Sequence, residues 1–511
     1  LGMGISKGRG IAWAKRRLGR RGRVVVVVGD GELQEGQNYE GLQAARQEQL
    51  AGLTVVVDRN ELQSDRRTDE IVSLGVLEDR FRAFGWHVQT CDGHDVGALR
   101  SAFASFAEVR DRPQVLVAET IKGKGVSFME HPAALVEGGG TYRWHAGAPD
   151  DESFEKALAE LVTRIGERFD TLGLEPLRLE PVAADERPEG TLQGEPESGS
   201  GTRSSVTDEY VVDAYGDELV RLGAEHEHLV VLDADLASDC RVRAFELAYP
   251  DRFLECGIAE QDMVSTAAGL ARQGLLPVVN SFASFLASRA NEQIYNQASE
   301  GSRAIYALHY AGLIPAGPGK SHQSLRDISL LGALPNMTIV QPTTADETRA
   351  LLRWAVEDAA ENVAVRLAIG PSPRRIDAPG EVSPGRGTTL RPGDDAILFA
   401  YGPVMLHEAL TAAELLKEQG LGLAVVALPW LNRFDGGWLT NLLDRYERAF
   451  VLEDHAPVGG LGDALRRELE GRPLTVFGVE GWPACGTPSE ALRAHGLDGA
   501  SLSERIPAAL R

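Results

Sequence analysis

Two short polar stretches carry atom types that suit a divalent cation held against a phosphate. Gly29-Asp30-Gly31 follows five consecutive valines, Val24 to Val28, and Asn60 stands 29 residues after Gly31, just past a second β-branched run, Leu53 to Val57. The valine run reads as a buried parallel strand ending in a tight loop, and ligands gather at such strand ends. Asp30 and Asn60 are therefore expected at the ends of two neighbouring strands. Magnesium takes near-octahedral oxygen coordination from few protein ligands and completes its shell with phosphate and water. The Asp30 carboxylate, the Asn60 amide and a backbone carbonyl near Leu62 suit that need. A turn and a loop cap would account for either stretch alone, but spacing and strand-end context join them.

A second candidate is excluded by its spacing. Gly319-Lys320-Ser321 resembles the end of a nucleotide-binding P-loop, yet the leading glycine such a loop requires falls on Ile314. The neighbouring His322, like His145 and His309, is a group able to donate, accept or shuttle protons near neutrality. Phe282 and Phe285, three residues apart, offer a ring for stacking and equally suit a core.

Strands alternating with helices must position these groups. Arg23 to Val28, Leu53 to Val57 and Gln114 to Ala118 read as strands, with a helix over Leu99 to Val109 between the last two. The alternation resumes with Leu229 to Asp233, Ala304 to Leu308, Met337 to Gln341 and Val363 to Ala368. A third series follows at Ala396 to Ala400, Leu423 to Leu428 and Ala449 to Leu452. The fold class expected is α/β, with three domains of mostly parallel sheet covered by helices. They span 1–169, 206–378 and 390–511, with a Pro/Gly/Glu/Ser-rich linker over 170–205.

Composition narrows the function. The 511 residues exceed what one core serves. There are 75 acidic against 52 basic residues, a net charge of -23, which disfavours nucleic acid and anionic membranes as partners. No apolar run approaches the roughly 20 residues of a membrane-spanning helix. Cys91, Cys240, Cys256 and Cys485 show no disulfide or zinc spacing, and a reducing cytoplasm fits best.

Gly29-Asp30-Gly31-Glu32-Leu33-Gln34-Glu35-Gly36 with Asn60 resembles the thiamine diphosphate motif of transketolases. Lys122 to Glu130, Trp144 to Pro149 and Gly257-Ile258-Ala259-Glu260-Gln261 resemble further segments of that family in the same order, so the likeness covers nearly the whole chain. The resemblance implies thiamine diphosphate and magnesium as cofactors. Gly29, Asp30, Gly31, Glu32, Asn60, Leu62, His145, Glu260, Phe282 and Phe285 would contact the cofactor, and Asp30, Asn60 and Leu62 the metal. Glu260 would hydrogen-bond the aminopyrimidine ring and favour its imino form, Phe285 would stack on that ring, and His145, His309 and His322 would serve proton transfer. The implied reaction moves a two-carbon ketol unit from a ketose-type donor to an aldehyde acceptor. Related enzymes instead decarboxylate 2-oxo acids, and a non-catalytic subunit is the third alternative.

The resemblance also implies a homodimer, with cofactor held between the first domain of one subunit and the second of its partner. It implies a preceding segment supplying further histidines, carried by a separate chain or omitted here. Two departures bear on substrate. Pro318 stands where transketolases usually carry an aspartate, and Val212 and Ile369 stand nearest the usual phosphate-gripping arginines. Arginine is the side chain best shaped for phosphate, so a modified or non-phosphorylated sugar, or a 2-oxo acid, is expected, unless Arg203, Arg241, Arg289 or Arg366 compensates.

Overall fold

The computed structural model describes residues 1–145, 148–175, 207, 209–377, 382–469 and 471–511. Most of the expected linker, Arg203, and Ala146-Gly147 lie outside them. Residues 170–172 complete the helix Asp151–Leu172.

The described chain divides into two compact units. The first comprises Leu1 to Glu175 with Glu255–Ala259, and the second the remainder from Thr207. The first unit holds a parallel sheet of β1 (Val24–Gly29), β2 (Leu53–Arg59), β3 (His87–Asp92) and β4 (Gln114–Glu119), in the order β1-β2-β4-β3. The polar, alternating β3 escapes a search for apolar runs, because an edge strand needs only one buried face. β1 corrects the expectation of a buried strand. It too is an edge, and Val25 and Val27 are exposed while Val28 is buried in the core with Leu33, Leu42 and Val55.

The second unit carries two sheets. One contains β5 (Leu229–Asp233), β6 (Phe253–Glu255), β7 (Leu276–Phe282), β8 (Ile305–His309), β9 (Met337–Val340) and β10 (Asn362–Leu367), in the order β6-β5-β7-β8-β10-β9. The other contains β11 (Thr388–Arg391), β12 (Ala396–Ala400), β13 (Leu423–Ala427), β14 (Ala449–Leu452) and β15 (Leu474–Phe477), in the order β11-β13-β12-β14-β15. β11 alone of these runs antiparallel to its neighbour, β13. The fold class is thus α/β with three mostly parallel, helix-flanked sheets.

β7 matters most for the site. It lies between β5 and β8, every residue is buried, and it contains Pro277, Asn280 and Ser281. Asn280 survives burial because its amide donates to the carbonyls of Leu232 and Val278, both at 3.1 Å, and its oxygen accepts from the Tyr215 hydroxyl at 2.6 Å.

Candidate active site

In the first unit β1 pairs with β2 in register, Gly29 opposite Asp58, so Asp30 and Asn60 emerge from adjacent strand ends. Asp30 is only 4% exposed and caps a 3-10 turn, Gly31–Gln34. One carboxylate oxygen accepts from the Gly31 N–H and the other from the Glu61 N–H, each at 2.7 Å. Burial raises its pKa above the ordinary value, while those two N–H groups and the nearby Lys122 ammonium oppose the rise. A positive ion beside Asp30 would therefore be welcome. The Asn60 oxygen accepts from the Leu62 N–H at 3.1 Å, its amide nitrogen donates to Asp58 at 3.3 Å, and the Leu62 side chain is buried.

Lys122 reaches this corner from the loop after β4. Its ammonium donates to the Gln63 carbonyl at 3.1 Å and lies 2.8 Å from His145 Nδ1, so His145 accepts there. Burial and the ammonium hold His145 below its ordinary pKa, against the pull of Asp65. Asp30, Asn60, Leu62, Lys122 and His145 thus share one corner. Glu32 points elsewhere, its carboxylate accepting from the Gly2 N–H at 2.8 Å. At Gly31 a Cβ would come within 2.7 Å of Gln63, so that position has no room for a side chain.

In the second unit Glu260 begins the helix Glu260–Ala271 and is 1% exposed. Its Oε1 accepts from Arg289 at 2.5 Å and from the Ser281 hydroxyl at 3.4 Å, while Oε2 is buried without a hydrogen-bond partner among the described residues. An orphaned buried carboxylate oxygen is costly unless something else occupies the place. Arg289 links Glu260 to a cluster of rings, its guanidinium carbon 4.9 Å from the Phe285 centroid. Phe282 ends β7 and Phe285 sits in the helix Ala283–Arg289, their centroids 5.3 Å apart. His322 lies 5.7 Å from Phe282, 5.2 Å from Phe285 and 5.9 Å from Tyr310. The Ser284 hydroxyl donates to the Ser321 carbonyl at 3.0 Å and ties the His322 loop to the Phe285 helix. Burial holds His322 below its ordinary pKa.

His309 ends β8 wholly buried, its Nε2 3.3 Å from the Asn280 oxygen and its ring edge-on to Tyr215. Burial, with Arg241 adding to it, pushes its pKa down to about 3, so the ring is neutral at physiological pH. Its Nδ1 has no hydrogen-bond partner among the described residues.

Of the four arginines named as possible phosphate ligands, the three within the described residues are engaged otherwise. Arg366 is sealed among Asp327, Asp454 and Gln341. Arg241 pairs with Asp213 at 2.7 Å, and Arg289 with Glu260. Val212 lies in the core at 0% exposure and Ile369 packs against the same core, so neither substitutes for a phosphate-gripping side chain. Sequence reasoning missed the Glu260–Arg289 pair and the Asn280–Tyr215–His309 relay. A lone amide inside the apolar strand Leu276–Phe282 was the available signal for the second. Among the described residues, Glu225, His226 and Glu357 form one group close enough to share a metal ion, but Arg353 already pairs with both glutamates, at 2.6 and 2.8 Å.

Three family models match in order: the thiamine diphosphate binding domain of transketolase over residues 1–143, the pyrimidine binding domain over 210–369, and the C-terminal domain over 385–502. Human transketolase is 27% identical over 519 residues, covering 99% of this chain and 79% of the relative, and mouse transketolase-like protein 2 is 29% identical, covering 97% and 78%. Among solved structures, a split-gene transketolase described as an inactive β4 tetramer is 33% identical over 59% of this chain and 98% of its own, with a TM-score of 0.53. Transketolase from Campylobacter jejuni, 19% identical, shares the fold over 99% of this chain with a TM-score of 0.51. By its ordered motifs, its three sheets and these matches, the chain belongs to the transketolase family.

Proposed function

We propose that this protein is a thiamine-diphosphate- and magnesium-dependent transferase that moves a two-carbon ketol unit from a ketose-type donor to an aldehyde acceptor. The observation that carries the reading is Glu260, buried to 1% exposure with Oε2 unpartnered among the described residues and Oε1 held by Arg289, whose guanidinium carbon lies 4.9 Å from the Phe285 ring centroid. That is a polar atom reserved for a ligand next to a surface suited to a flat ring.

The residues present fit the implied cofactor. Asp30, the Asn60 oxygen and the Leu62 carbonyl are hard oxygen donors of the kind magnesium prefers, and Lys122 adds positive charge for a diphosphate. When bound, thiamine diphosphate supplies the electron sink that lets a carbon–carbon bond beside a carbonyl break. The protein's share is positioning and proton movement. Glu260 Oε2 would meet a ring nitrogen, Phe282 and Phe285 would orient the ring, and His322 and His145, both held by burial below the ordinary histidine pKa, would exchange protons with substrate oxygens. In a dimer, the Asp30 half-site of one chain would serve the Glu260 half-site of its partner. A separate chain carrying further cofactor contacts is the other assembly that fits.

Engagement of Arg241, Arg289 and Arg366 in ion pairs supports a substrate without an ordinary sugar phosphate terminus, such as a modified or non-phosphorylated sugar. The site is proposed to work in a reducing cytoplasm, consistent with four cysteines that form no disulfide, and no described helix is long and apolar enough to cross a membrane. The test is calorimetric titration of the purified chain with thiamine diphosphate and magnesium, alone and with a candidate partner chain, followed by turnover. Tight magnesium-dependent binding and ketol transfer are expected. Carbon dioxide release from pyruvate would move the assignment to a 2-oxo acid decarboxylating enzyme, and absence of binding in both conditions would leave a non-catalytic subunit.

A further inference from the structure

The two oxygens of Glu260 have different surroundings. Oε1 is taken by Arg289 and Ser281, and Oε2 is buried with no hydrogen-bond partner among the described residues. Arg289 closes the helix Ala283–Arg289, one turn beyond Phe285, so the two side chains lie on the same helix face. Its guanidinium carbon stands 4.9 Å from the Phe285 ring centroid. One cation therefore touches both the carboxylate that begins the helix Glu260–Ala271 and the aromatic ring of the helix after β7.

This contact has a mechanical consequence. The terminal torsion of a glutamate is broad and roughly two-fold, so a free carboxylate would present either oxygen. Pinning Oε1 to a planar guanidinium that itself lies over the Phe285 ring removes that freedom and presents Oε2 alone. We propose that Arg289 is a positioning residue that locks Glu260 and Phe285 into one unit, aiming Oε2 at the ring nitrogen of thiamine diphosphate. The proposal rests on the cofactor reading above and adds a residue that acts through Glu260 without gripping substrate phosphate.

The test is a ligand-by-variant comparison on the full chain, read by calorimetry with magnesium present. The ligands are thiamine diphosphate and an analogue carrying C–H in place of the ring nitrogen that meets Glu260. The wild type should favour thiamine diphosphate by roughly tenfold to a hundredfold, the range of a hydrogen bond to a charged group. Glu260→Ala should bring the two affinities to within about twofold. Arg289→Gln should do the same while keeping the wild-type circular dichroism spectrum, and Arg289→Lys should restore part of the preference. If Arg289→Gln weakens both ligands alike and leaves their ratio untouched, Arg289 only supports the fold and the proposal is overturned. If the wild type binds neither ligand, or Glu260→Ala keeps the preference, the cofactor reading itself fails and the role of Arg289 fails with it.

Discussion

Replacing Arg366 with methionine would remove a cation that has no contact with water. The guanidinium donates to Asp327 at 2.6 Å and Asp454 at 3.2 Å, also bonds Gln341, and lies 5.5 Å from the centroid of Tyr401, whose hydroxyl donates to Asp454 at 3.0 Å. Asp327 is completely buried and Asp454 is 6% exposed. Methionine fills much of the volume yet leaves two buried carboxylates with no counter-charge. Breaking a buried pair from one side costs about 3–5 kcal/mol, a large part of the roughly 5–15 kcal/mol that holds a domain folded. The assay is urea unfolding of the full chain followed by tryptophan fluorescence, since Trp354 and Trp430 pack edge-on in the same unit. A loss of about 3–5 kcal/mol is expected for Arg366→Met. Adding Asp327→Asn and Asp454→Asn should recover much of it, because the orphaned charges go. At temperatures where Arg366→Met stays folded, its substrate affinity should match the wild type. A loss below about 1 kcal/mol, or a stable variant with collapsed substrate affinity, would refute the argument and return Arg366 to the list of substrate ligands.

Three further outcomes follow from the same reasoning. Glu260→Ala should abolish turnover while the circular dichroism spectrum stays that of the wild type, and wild-type turnover would end the mechanistic assignment. Asp30→Asn removes a negative charge from the proposed magnesium ligands, so calorimetry should show at least tenfold weaker thiamine diphosphate binding, about 1.4 kcal/mol or more; unchanged affinity would move the metal elsewhere. Burial pushes Glu453 up to about 8 from 4.5, despite the N–H groups of Leu461 and Gly462. The unfolded chain then ionises first as pH rises. Stability present below about pH 4.5 is lost by about pH 8, approaching 4 kcal/mol across that window. Glu453→Gln should flatten this decline when urea unfolding is compared at the two ends, and an unchanged slope would place the pH dependence on another group.

The short-range patterns were legible in the sequence because they are written in consecutive residues. Five valines running into Gly-Asp-Gly specify a strand and its end, and a second run of the same kind before Asn60 implies a neighbour, which the register of β1 and β2 supplies. Alternation of strand and helix was enough for an α/β class, since parallel strands need crossover helices on the sheet faces. Strands that are not continuous apolar runs were invisible: β3 is half polar, and β7 is interrupted by Pro277, Asn280 and Ser281.

Tertiary structure decided the partnerships. Nothing within a few residues of Glu260 announces that Arg289, 29 positions away, will take one of its oxygens and leave the other bare. Nor does an arginine in Asn362–Leu367 announce whether it will face substrate or, as Arg366 does, be sealed between carboxylates 39 and 88 positions away. Sequence periodicity records which face of an element is apolar. Which charges meet is settled by packing between elements, because a buried ion pair forms only where desolvation of both partners is offset by geometry that distant segments must supply together.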